Sequence, residues 1–207
     1  VAAHGRATIR GLRAAGVAAC AKHFPGHGGI AADSHFELPH DPAPRERLEG
    51  VDLVPFARAI AAGVDSIMTA HVAYDALDRG VPATLSRTAI TEILRARLGY
   101  DGVVVTDDLS MKAIADGYAL DEAIGGALAA GVDLMLVCDG TEERRTEAFA
   151  ALNHLQDADP YLQRVLAKSA SRIAALKSRL PRGPVDVARA AAIVGCAAHR
   201  LLAAQGG

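Results

Sequence analysis

The side chains able to do chemistry are crowded into one part of the chain. Five of the eight histidines lie between residues 23 and 71. The densest run is Lys22-His23-Phe24-Pro25-Gly26-His27-Gly28-Gly29-Ile30-Ala31-Ala32-Asp33-Ser34-His35, with three histidines, one lysine, one aspartate and three glycines in fourteen residues. Glycines let backbone and ligand approach closely. Asp33 and His35 are separated only by a small Ser34. In a tight turn the carboxylate meets an imidazole N–H, fixes the tautomer and raises the basicity of the ring. A zinc site on His23, His27, Asp33 and His35 is the competing chemistry. The His23-x3-His27 spacing suits a helix, but Pro25 and Gly26 lie inside it and forbid one, so no metal or other cofactor is expected. A second candidate is Asp107, which follows the apolar run Gly102-Val103-Val104-Val105-Thr106. At a strand end, one of Asp107 and Asp108 caps the next segment while the other faces a mouth. We assign the cap to Asp108 and the chemistry, attack on an anomeric carbon, to Asp107.

The elements that must carry these residues alternate. Helices are predicted over 7–15, 45–62 and 86–98, then from a cap at Asp121 to Ala130, each closed by a glycine or opened by a cap. Along 45–62, Leu48, Val51, Val54, Phe56 and Ile60 fall near one face. Strands are predicted over 17–22, 64–70, 102–106 and 132–137, with loops at 24–44 and 71–85. From Thr141 the chain reads as helical. Pro181 and Pro184 separate a final helix over 185–204. Four buried strands alternating with helices imply a parallel α/β sheet. Lys22 and His23, His71, Asp107 and Asp139 collect at the strand ends, where a (β/α)8 TIM-type barrel places its active site. Such a barrel needs eight strands and about 250 residues. Four strands imply the C-terminal half of one over 1–180, followed by a helical tail over 181–207.

Composition narrows the function classes. Hydrophobic residues make up 51% and aromatics 4% with no Trp, so the core must be aliphatic, as around a parallel sheet. Lysine plus arginine is 22 against 24 acidic residues, a net charge of -2. That balance offers no basic surface for nucleic acid or an anionic membrane. No stretch is read as a membrane span. Cys20, Cys138 and Cys196 are odd in number and far apart, which points to a reducing, cytoplasmic setting. The chain starts at Val1 without a Met or leader pattern and is read as a segment of a longer protein.

Taken together, the motifs resemble a known family. Lys22-His23-Phe24-Pro25-Gly26-His27-Gly28, Asp33-Ser34-His35 and Leu38-Pro39 look like the signature of glycoside hydrolase family 3 β-N-acetylglucosaminidases, the NagZ-type β-hexosaminidases. Ile67-Met68-Thr69-Ala70-His71-Val72, Gly102 to Met111 and Gly131 to Cys138 resemble that family's following segments, in order, so the match runs from about Gly11 to about Asp139. The resemblance implies a retaining glycosidase releasing terminal β-linked N-acetylglucosamine, in cell-wall muropeptide recycling. Asp107 matches its nucleophile, His35 its acid/base and Asp33 the partner of that histidine. Lys22 and His23 match side chains that bind sugar hydroxyls, and His71 lies at the matching mouth of the next strand.

A histidine acid is physically sensible beside a carboxylate nucleophile. Two close carboxyl groups resist double ionisation, whereas a neutral imidazole removes that conflict. Two departures from the family pattern stand out. Gly29 replaces an Asp found in some members, and the family's first barrel strands, with the Asp and Arg residues that grip the sugar, match nothing here. A phosphorylase of the same family, or a non-catalytic fragment that self-associates through its open sheet edge, are the alternative readings.

Overall fold

The computed structural model describes residues 1–27, 29–30, 32–181, 183–184 and 186–205. Helix α1 (Ala2–Ala14) leads to strand β1 (Cys20–Phe24), and a long loop carries the short strand β2 (His40–Asp41). Helix α2 (Arg45–Arg47) continues through a π-helical stretch, Leu48–Asp52, into α3 (Leu53–Ala61). Strands β3 (Ser66–Thr69) and β4 (Ala73–Tyr74) follow, then a 3₁₀ turn at Ala83–Leu85 and a π-helical segment, Thr88–Arg97. Next come β5 (Val103–Asp108), α4 (Lys112–Ala115), α5 (Leu120–Ala130) and β6 (Leu134–Leu136). Helices α6 (Glu142–Ala158), α7 (Pro160–Ser178), α8 (Val187–Ile193) and α9 (Ala197–Ala204) complete the described elements.

The main sheet is parallel throughout, in the order β1-β3-β5-β6. Ser66 lies between Cys20 and Val103 in register, and Val105 sits opposite Leu134. The turn from helix to strand is made three times by one sequence device. Ala-Ala-Gly-Val recurs at 14–17, 61–64 and 129–132, and its glycine adopts a left-handed φ of 75°, 78° and 108° respectively. Those conformations end each helix without a Cβ penalty. Where the next residue is aspartate, its carboxylate binds the neighbouring strand. Asp65 Oδ2 accepts the Ala19 N–H at 3.0 Å, and Asp133 Oδ2 accepts the Val104 N–H at 2.9 Å.

These carboxylates anchor the outer helices at the starting end of the strands. Asp133 also pairs with Arg95 and Arg172 and accepts from the Ser169 hydroxyl at 2.8 Å. Arg179 lies 3.5 Å from Asp65. Helix α7 is thereby fixed across the base of the sheet, leaving the opposite end for the candidate site. The core between sheet and helices is aliphatic, with Ile67, Ile90, Leu94, Val104, Ala127 and Val132 almost fully buried. Phe24 and Phe56 pack edge to face with centroids 5.2 Å apart.

Several expectations change. Val51 and Val54 are exposed, and the buried positions are Leu48, Leu53, Phe56 and Ala59. The π-helical stretch widens the turn by one residue, so the buried face passes from Leu48 to Leu53, five positions on. Asp121 does not cap α5. The cap is Ala119, whose N–H is bound at 3.0 Å by the Glu122 carboxylate reaching back. The expected final helix is two helices of 7 and 8 residues, broken by Gly195 at φ 69°; its start at Val185 lies outside the described residues. The stretch Val187–Ala204 is also apolar and long enough to cross a membrane, against the reading above, although here it is folded as that broken, exposed pair. The two loops carry strands the pattern did not suggest, since β2 and β4 pair in parallel.

Candidate active site

Three chain segments deliver the singled-out side chains to the C-terminal end of the sheet. β1 ends with Lys22 and His23, β5 ends with Asp107 and Asp108, and His71 follows β3. His23 Nε2 lies 3.3 Å from Asp107 Oδ2, with both side chains about a quarter exposed. Burial holds the His23 imidazole below its ordinary value, outweighing the attraction of Asp107. It is therefore neutral near pH 7, a close polar neighbour of Asp107 and not a fixed positive charge. Lys22 is exposed beside it, and His27 meets the His23 ring edge-on at 6.1 Å between centroids.

The two adjacent aspartates are used differently. Asp108 Oδ1 accepts the backbone N–H groups of Ser110 and Cys138, each at 2.9 Å. Its carboxylate stitches β5 to the end of β6. Asp107 Oδ1 accepts the N–H of Asp108 at 2.9 Å, and Oδ2 faces His23. Asp108 is not itself a helix cap; Met111 precedes α4. Asp139 serves the fold as well, binding the Thr141 N–H at 3.1 Å and lying 3.5 Å from Arg144.

Asp33 and His35 form a pair. His35 Nδ1 donates to Asp33 Oδ1 at 2.7 Å, and the His35 backbone N–H donates to the same oxygen at 2.9 Å. The Asp33 carboxyl is held below its ordinary range, first by that backbone N–H and then by the ring. An ionised Asp33 can only accept, so Nδ1 carries the hydrogen and Nε2 is turned away from the pair. Both side chains are more than half exposed. Between them Ser34 is buried, and its carbonyl accepts the Ala113 N–H at 3.4 Å, so the loop leans on the segment that follows Asp107. The start of the loop is fixed at Gly26. The Tyr74 hydroxyl donates to the Gly26 carbonyl at 2.8 Å, while φ is +147° and a Cβ there would come within 2.8 Å of the Asp52 side chain. Gly29 lies against the Arg47 guanidinium, which a side chain at that position would displace. Gly28 and Ala31 lie outside the described residues.

His71 is in a different situation. It is 1% exposed, and both ring nitrogens are engaged, Nε2 with the Asp108 carbonyl at 2.9 Å and Nδ1 with the Thr84 hydroxyl at 2.8 Å. The residue read as a sugar contact has no ring nitrogen left for a ligand. Thr84 and Asp108 carry no motif that marks them as its partners; only the fold brings them there. Among the described residues no cluster of three or more His, Cys, Asp or Glu is arranged to hold a metal ion.

A cavity of about 600 Å³ opens beside this region but is not the catalytic mouth. It reaches Lys22 and His23, yet most of its wall is apolar, from Ile9 and Leu12 of α1 to Phe56 of α3, and Asp107, Asp33 and His35 do not line it. It is the groove left along β1, the outer strand of the sheet.

The chain is similar to proteins of known family. The chain is 48% identical over 155 residues to a beta-hexosaminidase of Alkalilimnicola ehrlichii, covering 75% of this chain and 43% of that protein. It is 46% identical over 166 residues to a beta-hexosaminidase of Pseudomonas aeruginosa, covering 78% and 48%. The structure of a glycoside hydrolase family 3 beta-N-acetylglucosaminidase from Paenibacillus sp. str. FPU-7 superposes with a TM-score of 0.81 at 43% identity, over 87% of this chain and 35% of that one. The chain thus spans less than half the length of these relatives. Its α/β fold is of the TIM-barrel type. Residues 1–176 match the glycosyl hydrolase family 3 N-terminal domain, and the chain belongs to that family.

Proposed function

We propose that this chain carries the nucleophile, the acid/base and part of the sugar site of a retaining β-N-acetylglucosaminidase. Asp107 attacks the anomeric carbon of a terminal β-linked N-acetylglucosamine. As the glycosidic C–O bond breaks, the His35 imidazolium gives its Nε2 proton to the departing oxygen. Asp33, ionised and bound to Nδ1, stabilises that imidazolium. The neutral ring then takes a proton from water as the water displaces Asp107, restoring the β configuration. Lys22 and His23 bind sugar hydroxyls beside the nucleophile. Relatives named beta-hexosaminidase at 46–48% identity support the activity.

The single observation that carries the acid/base assignment is the 2.7 Å Asp33–His35 contact on a loop braced against the residues after Asp107. In this reading the four parallel strands are half of an eight-stranded barrel, and contacts from the other strands complete the sugar site. The unpaired outer edges of β1 and β6 are surfaces for those strands, or for a second copy of the chain. Muropeptide fragments in the cytoplasm are the substrates proposed.

The test is product analysis on an aryl N-acetyl-β-glucosaminide and on a disaccharide, using the chain within a complete barrel, with and without phosphate. Free N-acetylglucosamine of retained configuration is expected in both conditions. A sugar 1-phosphate formed only with phosphate would replace the hydrolase with the phosphorylase. An inverted product would exclude both.

A further inference from the structure

Besides Asp107, the end of β5 contains a carbonyl with an unusual partner. The Asp108 C=O, one residue beyond the candidate nucleophile, receives a hydrogen bond from a side chain on a different strand connection, His71 Nε2 at 2.9 Å. A carbonyl oxygen can only accept, so Nε2 must carry a hydrogen. The other nitrogen faces the Thr84 hydroxyl at 2.8 Å, and that hydroxyl in turn meets Thr69 Oγ1 at 2.8 Å. His71, Thr69 and Thr84 are all at most 1% exposed.

We infer that His71 is a positioning residue for Asp107: as a neutral Nε2–H imidazole wedged between Thr84 and the Asp108 carbonyl, it sets where the end of β5 lies. This rests on the reading of Asp107 as nucleophile. The neutral state follows from the surroundings. Burial lowers the His71 pKa, opposed by weaker contributions from the Asp108 carbonyl and the nearby Asp107 and Asp108 charges. A neutral ring with hydrogen on Nε2 has a bare Nδ1, which accepts from the Thr84 hydroxyl at 2.8 Å; that hydroxyl also has the Ala70 carbonyl at 3.1 Å as an acceptor and Thr69 Oγ1 at 2.8 Å.

The opposite side of the same strand end is held by β6. The Leu109 N–H donates to the Leu136 carbonyl at 2.9 Å, and the Cys138 N–H donates to the Asp108 carboxylate at 2.9 Å. Asp107 therefore sits between two restraints, one from β6 and one from His71. Remove the second and the Asp108 carbonyl keeps only the Met111 N–H of its own turn, at 3.1 Å, so the strand end loses its tie to the His71 side. Shifts of about 1 Å in a reacting group lower rate by about 100-fold without loss of substrate contacts. A positioning residue thus moves kcat, whereas a sugar-binding residue moves KM.

The test uses three variants in the same barrel-complete protein. His71→Asn places its amide near Nδ1 and cannot reach the Asp108 carbonyl. His71→Gln places an N–H near Nε2 and can. Thr84→Val removes the hydroxyl but keeps the shape. On an aryl N-acetyl-β-glucosaminide, kcat is expected to fall about 10- to 100-fold in His71→Asn with KM within about twofold. His71→Gln recovers most of that loss, and Thr84→Val falls between. Independently of turnover, NMR of the wild-type protein should show His71 as the neutral Nε2–H tautomer at pH 6.5, where an ordinary imidazole is about half protonated. A raised KM with kcat retained, a Gln variant no better than Asn, or a His71 ring titrating like an exposed imidazole would each overturn the assignment. If no glycoside is cleaved but the His71 tautomer behaves as stated, the nucleophile reading fails while the positioning contact stands.

Discussion

In the proposed mechanism, leaving-group chemistry is decided at His35. Its Nδ1 is committed to Asp33 and its Nε2 is exposed, so it has one nitrogen with which to exchange a proton. A sugar alkoxide must be protonated as it leaves; a nitrophenolate hardly needs it. His35→Ala is therefore expected to lower kcat/KM on a disaccharide by about 100- to 10,000-fold and on a nitrophenyl glycoside much less. Equal losses on both substrates would make His35 structural. The Asp33–His35 pair was legible in the sequence because a two-residue spacing with a small residue between is itself a turn. The separation of Asp107 from Asp108 was legible in part. That the two differ follows from strand alternation, but of the partners of Asp108, Ser110 lies two residues on and Cys138 comes from beyond the end of β6, which only the fold brings there. His71 was misread for a related reason. Its position after a strand suggests a mouth, while its burial under the 3₁₀ turn at Ala83–Leu85 depends on how a loop folds back.

At the level of elements, strand and helix order followed from apolar runs and glycine stops, and phase did not. The π-helical stretch at Leu48–Asp52 shifts the buried face of the segment by one residue, and a period of 3.6 cannot anticipate it. The repeat Ala-Ala-Gly-Val was visible in the sequence, and with it the two aspartates that follow. Asp133 shows what they do. Its side chain is fully buried and binds Arg95, Arg172, Ser169 and the Val104 N–H. Asp133→Ala strands these donors and is expected to cost about 3–5 kcal/mol in urea unfolding. Asp139→Ala, which breaks a partly exposed pair with Arg144, should cost under about 1 kcal/mol. Similar costs for the two would mean that the base of the sheet is not anchored through Asp133.

For the whole molecule, the separation of ends is the organising fact. Buried aspartate–arginine clusters and α7 hold the starting end of the strands, and the candidate chemistry occupies the other. Stability and the proposed chemistry thereby fall to different residues, as in barrel enzymes generally. That four of the strands form one parallel sheet was legible from alternation, because a parallel strand needs a crossover. The short β2–β4 pair that ties the two site loops together was not, since two-residue strands leave no pattern. The central claim is that Asp107, and not its neighbour, attacks the sugar. The direct measurement is trapping with a fluorinated N-acetylglucosaminide analogue, followed by peptide mass spectrometry. A single glycosyl adduct on Asp107, lost in Asp107→Asn with the fold intact, is the result expected. An adduct on Asp108, or turnover with no adduct and an active Asp107→Asn variant, would contradict it.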